Sequence, residues 1–202
     1  MIGIIDYQAG NLQSVEKALA FLGAGCRMVA EPKGLTGCDK ILLPGVGAFG
    51  AAMDNLRRSG LAQHILAWLK SDRPFLGICL GMQMLFDSSD EDPRTSGFGF
   101  LAGSCHGFER GKVPQIGWNR IRPVKRSDLL AGLPEQPYFY FLHSYYVSPQ
   151  DRSIVSGVTD YGLEYPSQIE LGRVCGVQFH PEKSGDAGIG LLRNWVRGGR
   201  SC

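Results

Sequence analysis

The sequence predicts an α/β fold, a doubly wound, mostly parallel sheet with an antiparallel extension. In the first half of the chain, short apolar runs alternate with segments of helical apolar spacing, which is typical of parallel strands covered by helices. Between residues 105 and 180, strand-like pieces follow one another without helices, which favours antiparallel ribbons. The chain has 202 residues, 44% hydrophobic and 20% charged, so we expect a single domain over residues 1–202 with a sizeable core.

The elements are predicted in order along the chain. Continuous apolar runs predict buried strands over residues 2–6, 26–30, 40–43 and 74–78. Helical spacing predicts a first helix capped by Asn11 and further helices over 61–70, 80–86 and 185–196. The polar stretch 87–97 is predicted to be a surface loop. Strand-like pieces cover 116–124, 138–147, 153–159 and 167–177, although glycine and proline around Trp118 favour a loop there.

Charge and composition exclude several classes of function. The net charge of +2 is too small to predict binding to nucleic acid or to an anionic membrane surface. No apolar stretch approaches the length of a membrane span, and the amino terminus lacks the features of a signal peptide. The six cysteines form no Cys-x-x-Cys pair and have no zinc-ligand spacing with the histidines. We therefore expect a cytoplasmic protein with reduced thiols and no metal site.

The most informative segment surrounds Cys79, which lies between Gly77 and Gly81 at the end of an apolar strand and before a predicted helix. This is the cysteine version of the Gly-x-Ser-x-Gly nucleophile elbow, in which a sharp turn exposes the nucleophile. The glycines allow neighbouring chains to pass close to the strained turn, and the following helix favours a thiolate. The alternative is a buried structural cysteine, because free cysteine is among the most buried residue types.

A second segment provides a general base. An apolar strand ends at His180, and Glu182 follows two positions later. Pro181 favours extended backbone at His180, and side chains at i and i+2 of an extended chain share a face. A carboxylate that orients a histidine, which in turn deprotonates a nucleophile, is the general triad arrangement. The alternative is a structural histidine at a strand end beside a solvated glutamate.

A third segment could stabilise an oxyanion. The predicted strand 40–43 runs into the glycine-rich loop 44–50. Gly45 and Gly47 allow this loop to direct backbone N–H groups inward, and the Leu80 N–H at the predicted helix start would be a second donor. A plain strand-to-helix connection or a phosphate loop is the alternative, but the Gly-Lys-Ser/Thr ending of a nucleotide-binding P-loop is missing.

These three segments together resemble the three motif blocks of the class I (triad) glutamine amidotransferases. The blocks are Gly-Ile-Cys79-Leu-Gly-Met-Gln83, Pro-Gly-Val-Gly47 and Phe-His180-Pro-Glu182, and the resemblance covers nearly the whole chain. Within that family, the chain most resembles glutaminase subunits that supply a cyclase forming imidazole glycerol phosphate. The narrower resemblance rests on Asp6-Tyr7-x-x-Gly10-Asn11-Leu12, Pro114-Gln-Ile-Gly-Trp118-Asn119, Phe141-Leu-His143-Ser144-Tyr145 and the segment 176–184.

The resemblance implies a role for each matching residue and no cofactor. Cys79 would attack the side-chain amide of L-glutamine, His180 would transfer protons, and Glu182 would orient His180. The remaining implied site residues are the oxyanion donors Gly47 and Leu80 and the glutamine-pocket residues Gln83, His143, Ser144 and Tyr145. Water would then hydrolyse the glutamyl thioester to glutamate.

The resemblance also implies a partner, because free ammonia becomes ammonium in neutral water and must be passed on. The implied partner is a (β/α)₈-barrel cyclase subunit in a heterodimer, facing Asn11, Trp118 and Lys183. Three alternatives remain open at this point. They are a paralogue that feeds ammonia to an enzyme making a nitrogen-containing surface sugar, a stand-alone cysteine hydrolase or peptidase, and a binding module without catalysis.

Overall fold

The computed structural model of the chain describes residues 1–8 and 12–198. The predicted cap Asn11 and the terminal Cys202 lie outside the described residues. The strands are β1 (Ile2–Ile5), β2 (Cys26–Val29), β3 (Lys40–Leu43), β4 (Phe75–Ile78), β5 (Phe86–Ser89), β6 (Leu101–Gly107), β7 (Gln115–Arg120), β8 (Arg122–Pro123), β9 (Tyr138–His143), β10 (Tyr145–Pro149), β11 (Val155–Asp160), β12 (Glu164–Leu171) and β13 (Val174–Val177). The helices are α1 (Leu12–Phe21), α2 (Phe49–Arg58), α3 (Leu61–Lys70), α4 (Leu80–Gln83) and α5 (Gly185–Arg197).

A central eight-stranded sheet organises the molecule, in the order β2-β1-β3-β4-β13-β12-β11-β8. The first five strands are parallel, and β12, β11 and β8 continue the sheet in antiparallel fashion. A β10-β6-β5 sheet and a two-stranded antiparallel β7-β9 sheet complete the strands of the described part. The predicted α/β class, with a mostly parallel sheet and an antiparallel extension, is confirmed.

Helices cover both faces of the parallel half of the sheet, so apolar side chains on either face of its strands are buried. In β3, Ile41 and Leu43 pack into one core with α2 and α3, whereas Leu42 packs into the other core with α1 and α5. The predicted stripe of α3 is confirmed, since its inward residues Leu61 and Ile65 are fully buried. Burial on both faces explains why these strands are apolar without alternation.

Several local predictions are wrong for tertiary reasons. The helix after Cys79 is a single turn, and Phe86 instead begins β5, which pairs with β6. The predicted loop 87–97 therefore starts within a strand. Trp118 is not in a loop, because β7 pairs with β9 and places it opposite Tyr140. The predicted strand 167–177 is the hairpin β12-β13, and 138–147 is likewise divided between β9 and β10.

The topology brings the candidate segments together. Because β3, β4 and β13 are adjacent parallel strands, the residues that follow them emerge at the same carboxyl edge of the sheet. Within residues 1–8 and 12–198, no helix is long and apolar enough to cross a membrane. The five described cysteines, Cys26, Cys38, Cys79, Cys105 and Cys175, are free thiols.

Candidate active site

Cys79 occupies a strained turn between β4 and α4. Its φ is 53° and its ψ is −110°, a conformation that an L-residue rarely adopts. Such strain persists only where the surrounding structure fixes the backbone, and it is concentrated at functional sites. The elbow geometry expected from the sequence is therefore present. The single turn of α4 contains few aligned peptide dipoles, so its effect on the sulfur is smaller than that of the longer helix predicted.

The glycines around the elbow are required by close backbone packing. A Cβ at Gly81 would lie 2.0 Å from the carbonyl oxygen of Leu43, and one at Gly77 would lie 2.6 Å from the carbonyl oxygen of Gly81. A Cβ at Gly45 would lie 2.5 Å from the Gly81 nitrogen. The elbow and the loop after β3 are thus in direct backbone contact, which fixes the position of Cys79 relative to that loop.

His180 and Glu182 form a buried pair. The imidazole Nδ1 lies 2.9 Å from Glu182 Oε1, and the two side chains are 2% and 5% exposed. His180 is extended, as its proline neighbour predicts, but Pro181–Lys183 is a short 3₁₀ turn. The expectation that the two side chains share the face of an extended strand is therefore wrong. The turn instead curls Glu182 back towards Nδ1, which directs Nε2 to the opposite side.

The electrostatic environment of His180 favours the protonated imidazole. Burial lowers the pKa of this imidazole, but the neighbouring Cys79 and Glu182 outweigh burial and raise it to about 10. Among the residues that the structure describes, Nε2 of His180 has no hydrogen-bond partner. Since Nδ1 is held by Glu182, the remaining nitrogen is the one that can exchange a proton with the thiol or with a bound substrate.

The sulfur has two polar neighbours that were not predicted as site residues. Gln178 Nε2 donates to Cys79 Sγ over 3.4 Å. The thiol lies 3.7 Å from the carbonyl oxygen of Leu142, to which it donates. Gln178 stands two residues before His180, directly before the third motif block and within the segment 176–184. A polar residue directly after an apolar strand, two positions before His180, is the sequence signal that indicates this contact.

A cavity of 240 Å³ opens beside the sulfur. The described residues that line it are Val46, Gly47, Cys79, Leu80, Gln83, Glu91, Pro114, Leu142, His143, Ser144 and Tyr145. All four residues predicted to line a glutamine pocket and both predicted oxyanion donors are therefore brought together around the sulfur. The φ of +98° at Gly47 is one that only glycine adopts without strain.

The loop after β3 is tied to the fold through Tyr7. The buried hydroxyl of Tyr7 donates to the carbonyl oxygen of Pro44 over 3.0 Å. Burial and the nearby Cys79 raise the pKa of this phenol, so it stays protonated and remains a donor. The loop that would stabilise an oxyanion is thereby held at its first residue and at Gly45, while Gly47, which has open space around it, can adapt.

Glu91 is a cavity residue that the sequence analysis missed. It is the only carboxylate among the described residues that line the cavity. The Phe49 N–H donates to Glu91 Oε2 over 2.9 Å, which connects this carboxylate to the start of α2. The acidic stretch 87–97 was interpreted as a solvated loop, and nothing in its composition distinguishes Glu91 from its acidic neighbours.

The predicted partner-facing residues have different environments. Trp118 is 57% exposed on β7, beside the exposed side chains of Ile116 and Tyr138. Lys183 is half-buried in the same 3₁₀ turn as Glu182. Ile116, Trp118 and Tyr138 together form an exposed apolar face of the β7-β9 sheet. In the described part of the chain, no group of histidine, cysteine or acidic residues could hold a metal ion.

Comparison with known proteins identifies the family of the chain. The family model described as glutamine amidotransferase class-I matches residues 3–197. A solved structure titled as a glutamine amidotransferase shares the fold with a TM-score of 0.77 and 18% identity, covering 96% of this chain and 97% of that one. PurLQS from Thermotoga maritima gives a TM-score of 0.78 at 18% identity, with 96% of each chain covered. The chain belongs to the class-I glutamine amidotransferase family.

Relatives of higher identity define its position within that family. The imidazole glycerol phosphate synthase subunit HisH of Desulfitobacterium hafniense DCB-2 is 46% identical over 200 residues, covering 97% of this chain and 95% of that protein. The HisH subunit of Methanocaldococcus jannaschii is also 46% identical, over 197 residues, covering 97% of this chain and 98% of that protein. The chain is thus grouped with the HisH subunits of imidazole glycerol phosphate synthase.

Proposed function

We propose that this chain is the glutaminase subunit of an imidazole glycerol phosphate synthase in histidine biosynthesis, with Cys79 as its nucleophile. The near-full-length match to HisH subunits supports the overall function. The observation that supports the assignment of Cys79 is its strained position beside the cavity and close to His180, which forms a buried pair with Glu182. These relatives favour this function over a stand-alone cysteine hydrolase and over a binding module.

The first half of the reaction forms a thioester. His180 Nε2 takes the thiol proton, and the sulfur attacks the side-chain amide carbon of glutamine. The tetrahedral intermediate has a negatively charged oxygen, which the backbone N–H groups of Gly47 and Leu80 stabilise. His180 then returns the proton to the leaving nitrogen as the carbon–nitrogen bond breaks, so ammonia leaves and a glutamyl thioester remains on Cys79.

The second half releases glutamate. A water molecule gives a proton to His180 and attacks the thioester carbon, and the protonated imidazole then returns that proton to the departing sulfur. Glu182 remains ionised throughout and holds Nδ1, so that Nε2 always faces the reaction. The raised pKa of His180 fits this cycle, because the imidazole must accept a proton twice, first from the thiol and then from water.

The cavity has groups suited to both ends of glutamine. Glu91 supplies a carboxylate for the α-ammonium group, and this ion pair would lie in a partly enclosed site where screening is weak. His143 stays neutral because burial lowers its pKa to about 4, so it adds no second positive charge beside His180. Gln83 lines the cavity, and its amide nitrogen donates to the Tyr145 carbonyl and to Gln178 Oε1, which fixes its orientation.

The ammonia requires a receiving enzyme. We infer a (β/α)₈-barrel cyclase subunit as partner, bound at the surface that includes Trp118 and Lys183, in a cytoplasmic heterodimer. An exposed tryptophan beside other apolar side chains is the kind of anchor that dominates protein interfaces. Lys183 is adjacent to Glu182 in sequence, which provides a short connection from that surface to the proposed triad.

Steady-state hydrolysis of glutamine tests this proposal, measured with and without the cyclase subunit of the same organism and its ligand. We expect slow hydrolysis by the chain alone, strong stimulation by the loaded cyclase, and loss of both in Cys79→Ala. Full activity in Cys79→Ala would contradict the assignment of the nucleophile. Absence of any glutaminase activity with the loaded cyclase would contradict the proposed function itself.

A further inference from the structure

Gln178 is a fully buried polar residue that contacts the reacting sulfur. It follows the last residue of β13, and its amide Nε2 donates to Cys79 Sγ over 3.4 Å. Its backbone N–H donates to the Ser167 carbonyl over 2.9 Å, which anchors it to β12. The mechanism described above gives it no task, although a buried amide requires partners for its polar atoms.

The orientation of this amide follows from the hydrogen bonds around it. The carbonyl oxygen of Tyr145 can only accept, so the group of Gln83 that lies 2.8 Å from it must be the amide nitrogen. That nitrogen has a second hydrogen, which it donates to Gln178 Oε1 over 3.1 Å. With its oxygen facing Gln83, Gln178 must present its nitrogen to the sulfur. The chain of bonds therefore fixes a donor, and not an acceptor, at Cys79.

A hydrogen-bond donor beside Cys79 stabilises the thiolate of this residue more than its neutral thiol. The neutral thiol can donate to the Leu142 carbonyl, and deprotonation removes that bond. The Gln178 amide, in contrast, continues to donate, and a hydrogen bond to an ion is stronger than one to a neutral group. Because Cys79 is 6% exposed, little water is available to replace a lost donor.

We propose that Gln178 stabilises the thiolate of Cys79 by hydrogen bonding, and that Gln83 acts as a positioning residue that keeps the Gln178 amide nitrogen turned towards the sulfur. Gln178 would thus complement His180, which supplies positive charge, with a neutral donor that needs no proton transfer. The inference rests on the proposed function only in so far as Cys79 is the nucleophile.

The test is the pH dependence of Cys79 alkylation by iodoacetamide, since only the thiolate reacts. Modification is quantified on the Cys79 peptide by mass spectrometry, so the other cysteines do not interfere. The variants are Gln178→Met, which removes the donor at similar size, and Gln178→Glu, which keeps an acceptor for Gln83 but places a carboxylate at the sulfur. Gln168→Met, at a fully buried glutamine of β12, is the matched control.

We expect the midpoint of the alkylation profile to rise by about one pH unit in Gln178→Met, the effect of losing one hydrogen bond to an ion, so that alkylation below the midpoint slows about tenfold. Gln178→Glu should shift the midpoint further because its charge repels the thiolate. Gln168→Met should leave the midpoint unchanged even if it lowers stability. In glutamine hydrolysis, Gln178→Met should lower kcat more than it raises KM.

Unchanged midpoints in folded Gln178→Met or Gln178→Glu would overturn the proposal. Circular dichroism establishes which variants are folded, and the near-isosteric glutamate variant keeps the test valid if the methionine variant does not fold. Alkylation needs neither glutamine nor the cyclase. A shifted midpoint in a chain that fails to hydrolyse glutamine would therefore support the thiolate contact and contradict only the proposed function.

Discussion

The burial of His143 predicts how strongly the stability of the protein depends on pH. Its Nδ1 lies 2.8 Å from the Tyr145 carbonyl, to which it donates, and Nε2 lies 3.2 Å from the Tyr165 hydroxyl. Burial is the main reason that its pKa falls from 6.5 to about 4, and the nearby His180 lowers it further. Replacement with asparagine preserves a donor for Tyr145 and removes the titration.

The sign of the effect follows from proton linkage. Above pH 6.5 His143 is neutral in both the folded and the unfolded chain and contributes no pH dependence. Between pH 6.5 and 4 the unfolded chain binds a proton that the folded chain does not, so acid favours unfolding. A difference of about 2.5 pKa units corresponds to about 3 kcal/mol at pH 4. Wild type should therefore lose about 3 kcal/mol more stability than His143→Asn between pH 7 and pH 4.

The assay is urea unfolding of both proteins at several pH values, compared as differences so that the titrations they share cancel. His64→Asn, at an exposed histidine of α3, is the control for the replacement of a histidine by asparagine. If wild type and His143→Asn also lose stability in parallel from pH 7 to pH 4, then His143 is protonated within the fold. The account of a site with His180 as its one positively charged imidazole would then be wrong.

Three further results are expected. Glu182→Gln should retain more glutamine hydrolysis than His180→Ala. The carboxylate only orients the imidazole, which can contribute up to ~10⁴ in kcat, whereas His180 itself moves the protons. An inert Glu182→Gln variant together with an active His180→Ala variant would contradict this. Gly81→Ala should lower the free energy of unfolding in urea by about 3 kcal/mol, since its Cβ would meet a β3 carbonyl at 2.0 Å. Gly25→Ala should be nearly neutral, because its Cβ would meet only side-chain atoms at 3.6 Å or more. Trp118→Ala should weaken cyclase binding by about 30-fold, or about 2 kcal/mol, while basal hydrolysis is unchanged. If calorimetric titration shows wild-type affinity, Trp118 is not part of the interface.

The parts of the fold that the sequence predicts are those determined by local patterns. The strand Lys40–Leu43 and the helix Leu61–Lys70 have the predicted bounds, because strong apolar runs and a helical stripe coincide with burial. Phe86 was assigned to a helix, since a short apolar run does not distinguish a helix from a strand that pairs with a distant partner. The helix Phe49–Arg58 was not predicted, although its inward residues Phe49 and Met53 are buried.

In the candidate site, too, the sequence predicts the residues that local patterns mark and not those that depend on distant contacts. Cys79, His180 and Glu182 were predicted from spacing and strand ends, because adjacent parallel strands place their carboxyl ends together. Gln178 was missed because its contact with the sulfur joins residues 99 positions apart. Glu91 was missed because the route of its loop back to the start of α2 depends on tertiary packing. Such contacts have no counterpart in local sequence patterns.

Covalent labelling with an electrophilic glutamine analogue, located by peptide mass spectrometry, tests the central claim most directly. In the presence of the loaded cyclase, we expect one equivalent of label on Cys79, protection by excess glutamine, and loss of hydrolysis in proportion to labelling. Label on another cysteine with Cys79 unmodified, accompanied by loss of hydrolysis, would contradict the account.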